Sequence, residues 1–165
     1  MSIEPDELVS ELLDTWKRHN DILLFLLAEV PKAGFAATAT GSRERDVSRQ
    51  FSHLNRVRLG WLAFHRTGVR PKLPRGDAGP SPSRAELRTA LRASGKDVGA
   101  LMKRALEGDQ KIRLFGKSPV RFLGYLIAHE SHHRGQIMIA LKKAGFRLSE
   151  KVAVQGVWGK WIYGK

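Results

Sequence analysis

The chain has 165 residues, 42% of them hydrophobic, enough for one globular domain burying about two-thirds of its unfolded surface, and residues 1–165 are read as that single domain. It contains no cysteine, which excludes disulfides, thiolate metal ribbons and cysteine nucleophiles and leaves nitrogen and oxygen as the only ligands for a metal. The formal charge of +13 favours anionic surfaces, but the Lys and Arg residues are spread along the whole length with no zinc-finger, basic-zipper or RNA-binding signature, so a solvated basic surface is expected rather than a specific nucleic-acid site.

The N-terminus, Met1 to Asp6, carries Glu4 and Asp6 with no basic region and apolar core, so no signal peptide is expected. From Pro5 to Val30, Leu8, Leu12, Trp16, Leu23, Leu26 and Val30 recur at helical spacing, with acidic Glu4, Asp6 and Glu7 at the positive end of the dipole. This predicts the first helix. Its most apolar run, Ile22 to Val30, is interrupted by Glu29 and stopped by Pro31, too short to cross a bilayer, and a cytoplasmic protein without a membrane partner is expected.

Pro31 to Ser42 reads as a loop, after which Ser42 or Asp46 caps a second helix reaching about His65. Val47, Leu54, Val57, Trp61 and Phe64 form its apolar face, and His53 projects onto that face, whereas Arg49, Arg56 and Arg66 turn elsewhere. Thr67 to Pro82 holds four prolines and three glycines, which cannot continue a helix and suit a long crossover. Ser83 and Glu86 form a capping-box pattern for a third helix ending near Glu107. Gly108 to Lys117 is a polar connection. Ser118-Pro119 then supplies an N-cap and first-turn proline for a fourth helix that runs to about Ala144 and stops at Gly145. The tail, with Val152, Val154, Val157, Trp158, Trp161, Ile162 and Tyr163, is apolar enough to pack back on the body, where its aromatics would close the bundle mouth or form a dimer contact. The expected fold is all-α, a four-helix bundle with a long crossover between helices two and three.

Residues 129 to 136 read His-Glu-Ser-His-His-Arg-Gly-Gln. On a helix, His129 and His133 stand one turn apart, a spacing that lets two imidazoles grip one metal ion, while His132 turns away. His53 is the inward third candidate. Three neutral imidazoles in an interior need partners for their nitrogens, and one divalent cation satisfies three at once. Zinc, nickel, iron and manganese all suit such donors. The remaining ring N–H groups require acceptors, for which Glu130, Gln136, Asn20 and Gln50 are available. His19, on the first helix's apolar arc, is a candidate fourth ligand. Gly135, mid-helix, is expected to permit close helix approach beside the site.

The bare H-E-x-x-H pattern also allows a zinc peptidase with Glu130 as general base, but Ile139 occupies the position of the third histidine in the longer motif and no strand signal provides for an extended peptide. Taken together, His129, His133, Arg134-Gly135-Gln136, His53 in the second helix and the Trp16 to Asn20 segment make the chain resemble the DinB-like proteins over nearly its whole length. That resemblance implies a metal-binding bundle with two neighbouring helices swapped relative to simple up-and-down order, often a homodimer, holding zinc or nickel through His53, His129 and His133. It further implies a small-molecule substrate, with members similar to S-transferases that use low-molecular-weight thiols such as bacillithiol or mycothiol, to maleylpyruvate isomerases, or to metal-dependent hydrolases. Beside such a metal, Glu130 and Arg134 are the candidate catalytic residues, orienting substrate or moving protons. The competing reading is a non-enzymatic basic module that binds nucleic acid or a partner protein.

Overall fold

The computed structural model describes residues 4–39, 45–72 and 80–164. Among them the long elements are α1 (Pro5–Glu29), α2 (Val47–Thr67), α3 (Arg84–Leu106) and α4 (Pro119–Lys143), with no strand. Their starts follow from local chemistry. The Asp46 carboxylate accepts from the Arg49 amide at 2.7 Å, Ser83 and Glu86 complete a capping box, and Ser118 accepts from the Arg121 amide with Pro119 in the first turn. Ser42, the other cap considered for α2, lies outside the described residues. α2 runs two residues past His65 because Gly68, at φ 79°, supplies the left-handed residue that ends it.

α1 and α2 both pack against α3 and α4, and these consecutive helices sit diagonally across the bundle. The connection between α2 and α3 lies partly outside the described residues. The apolar core falls into two parts. Leu23, Leu26, Phe51, Leu54, Leu91, Ile137 and Leu141 form one, and Trp16, Val98, Met102, Phe122 and Leu126 the other. Between them, at the corresponding level of α1, α2 and α4, lies a polar layer of His19, Asn20, Arg58 and Glu130, of which His19, Arg58 and Glu130 are at most 1% exposed.

Arg58 crosses this layer, donating to Asn20, to the Leu91 carbonyl and to Glu130. α1 and α3 approach closely there because Gly95 lacks a side chain: a Cβ would run into the Asn20 amide, and the Gly95 carbonyl accepts from the Trp16 indole at 2.8 Å.

The tail packs on α1 through wide π-type turns at Lys151–Trp158 followed by α5 (Gly159–Ile162). Val157 and Gly159 are buried, and Gly156 lets the chain pass over the Phe25 ring. Part of the expected packing is absent: Trp158 and Tyr163 are 56% and 72% exposed.

Candidate metal centre

His53 from α2 and His129 and His133 from α4 come together, each offering a ligand nitrogen within 4.8 Å of the others. Ring centroids are 4.6 Å apart for His53 and His133, 4.7 Å for His129 and His133, and 5.5 Å for His53 and His129. His133 is buried, the other two half-buried. Gln50, one turn before His53, accepts from His133 Nδ1 at 2.7 Å, which leaves Nε2 with a bare lone pair. His129 stacks on Tyr125, and its buried Nδ1 has no hydrogen-bond partner. Arg56 donates to His53 Nδ1 at 3.3 Å.

Burial, reinforced by Arg45 and the neighbouring histidines, lowers His53 to a pKa of about 4. Burial, with His129 and His132, does the same for His133, and burial also lowers His129. All three rings are therefore neutral near pH 7, the form that offers lone pairs. An orphaned ring nitrogen, a second ring held with one nitrogen bare and a donor set without a carboxylate fit a divalent cation that keeps its full charge.

The other sequence candidates stand elsewhere. Glu130 is 1% exposed and faces away from the triad, accepting two 2.7 Å bonds from Arg58 and one contact of 2.9 Å from His19 Nε2. Burial pushes its carboxyl up, but Arg58 and His19 outweigh this and hold its pKa at about 2. The carboxylate that the sequence offered as a proton carrier, and as the base of a peptidase, is thus engaged in the core by Arg58 and His19. His19, bound to Glu130, is not a fourth ligand. Arg134 is 6% exposed, donates to Ser131 at 3.0 Å and leaves Nη1 buried without a partner. Of the four proposed acceptors for ring N–H groups Gln50 serves His133, whereas Asn20 and Glu130 are taken by Arg58 and Gln136 also contacts exposed His132. Gly135 is exposed with no neighbouring atom within 4 Å of a built Cβ, so it permits no close approach.

Arg58 and His65 escaped the sequence reading. Arg58 follows Leu54 by four residues and so lies on the inward stripe of α2, a position where a charge demands a buried acid, and Glu130 provides it. His65 is buried beneath Trp61 and Phe122, its Nδ1 accepting from the Arg113 amide at 3.1 Å.

A pocket of about 320 Å³ opens beside His53, walled by Trp61, Phe64 and Tyr125 and lined also by Arg56 and Arg70. Since Tyr125 stacks on His129, the pocket adjoins two members of the triad.

No curated protein matches the chain. A family model, described as the DinB family, matches residues 1–150.

Proposed function

The chain belongs to the DinB family, and from that premise we propose that it is a metal-dependent enzyme acting on small molecules, holding zinc or nickel through His53, His129 and His133. The single observation carrying this reading is the convergence of three neutral ring nitrogens with no carboxylate among them. When bound, such a cation supplies Lewis acidity, which acidifies a water or a thiol.

The residues divide the remaining work. Burial keeps the three rings unprotonated, and Gln50 holds His133 with its second nitrogen open. Trp61, Phe64 and Tyr125 give a substrate an apolar wall on the side of His53. Thiol S-transfer is favoured over hydrolysis because, among the described residues, no carboxylate lines the pocket, and Glu130 is engaged by Arg58 and His19. A thiol is far more acidic than water to begin with, so its anion depends less on a protein base.

The test is elemental analysis of the purified protein followed by thiol consumption with an electrophile. Stoichiometric metal that disappears in H129A and H133A, together with thiol loss that stops on chelation, is the expected result. Metal content unchanged in those variants would sink the reading.

A further inference from the structure

We infer that the pocket beside the triad selects a flat aromatic body, one ring or two fused rings, over a saturated body of the same outline. This rests on the reading of the triad as the reaction centre and names the kind of molecule presented to it. The walls Trp61, Phe64 and Tyr125 supply more than apolar area. The Phe64 ring stands at 75° to the Trp61 ring with centres 5.9 Å apart, and the Tyr125 ring at 82° with centres 5.7 Å apart. A flat ring stacked parallel on Trp61 is therefore nearly perpendicular to both neighbours. The offset-stacked and edge-to-face arrangements that aromatic pairs prefer are then available at once. Arg70 acts in the same direction: its guanidinium carbon lies 5.9 Å from the ring centres of Trp61 and Phe64, and guanidinium planes stack on π faces. A saturated body fills the same space but brings a puckered surface with neither a π face nor a polarised edge.

The walls are braced from behind before any ligand arrives. Trp61 stacks on buried His65, centres 5.7 Å apart and planes at 21°, and meets Phe115 and Phe122 in T-shaped contacts. Tyr125 packs on Phe115 at 5.1 Å. Rings held this way keep their angles, so seating a ligand costs little ordering of side chains. The pocket volume of about 320 Å³ lies at the small end of ligand sites, which limits the body to one ring or two fused rings. Tyr125 also stacks on His129 at 5.7 Å, so a body seated against Tyr125 lies one ring away from the triad.

The probes are 2-naphthalenemethanol and its saturated counterpart decahydro-2-naphthalenemethanol, titrated calorimetrically into metal-stripped wild type, F64L and W61L, with circular dichroism checking that each variant is folded. Both probes are neutral and carry the same hydroxymethyl group, so only the ring system differs. The saturated probe has the larger apolar surface, and a pocket that merely excludes water binds it at least as tightly. The expected result is about 10-fold tighter binding of the aromatic probe to wild type, as for two aromatic contacts. F64L should reduce that preference to about 3-fold and W61L should abolish it. Phe64 is half-buried, so F64L decides the matter if W61L does not fold. Equal binding of the two probes, or tighter binding of the saturated one, overturns the proposal. So does a preference that F64L leaves intact, since the ring would then sit elsewhere. If wild type holds no metal but the preference persists and responds to F64L, the metal reading fails and the ligand class stands. If metal binds as expected and the preference is missing, the ligand class alone falls.

Discussion

Two faces of one turn of α4 carry polar groups with opposite fates. On one, His129 and His133 meet His53 with a buried nitrogen unpartnered and another bare. On the other, Glu130 is engaged by Arg58 and His19 until its carboxylate has little left to offer. Burial alone does not separate them, for the first face holds buried His133 beside half-buried His129. Satisfaction does. A polar group whose partners are all present holds a fold together, while a cluster of inward lone pairs without partners awaits a ligand.

The contrast is sharpest in stability. E130A leaves the Arg58 guanidinium buried without its counter-charge and should cost about 3–5 kcal/mol in denaturant unfolding of metal-free protein. H129A, which removes a half-buried ring whose Nδ1 has no partner, should cost about 1 kcal/mol or less under the same conditions. Equal losses would erase the distinction between the faces.

Adding zinc reverses the ranking of importance. A ligand at 100 times its Kd stabilises by about 2.7 kcal/mol, so wild type should show a clear rise in Tm and H133A none. Q50L keeps every proposed ligand and loses only the bond to His133, so zinc affinity should fall about 10- to 100-fold by competition titration. An unchanged affinity would mean that Gln50 merely packs.

Acid probes the same groups. His53, His65 and His133 are lowered from the usual 6.5 to about 4 in the folded chain, chiefly by burial. Between those values the unfolded chain binds more protons than the folded one, so metal-free stability is complete above about pH 6.5 and declines as pH falls towards 4. Denaturant melts across that window check the sign, and a flat profile would contradict it. The smallest effect expected is G135A, which fills empty space on an exposed helix surface and should stabilise by about 0.5–1 kcal/mol.

Much of this was legible in the residue order because it depends on near neighbours. Asp46, Ser83 with Glu86, and Ser118 with Pro119 announce their helices within a few positions, and the i, i+4 spacing aligns His129 with His133. His53 was reached by projecting α2 onto its apolar face. What stayed hidden depends on several helices at once. Arg58, Glu130, His19 and Asn20 come from α1, α2 and α4, and no spacing declares that they share a layer. The pocket is hidden for a similar reason: Arg70 belongs to a connection read only as helix-breaking, yet folds back over Trp61 and Phe64. Gly135 misled because a mid-helix glycine carries the same signal whether it faces a neighbour or solvent.

The layer around Arg58 also acts as a ratchet on assembly. Leu and Ile surfaces above and below it would accept helices slid past one another by a turn with little penalty, since aliphatic contacts are indifferent to axial offset. Such a slide would strand the Glu130 charge in hydrocarbon and carry it away from the Arg58 guanidinium. The ion pair thereby selects a single alignment of the bundle, and it is that alignment which brings His53 level with His129 and His133.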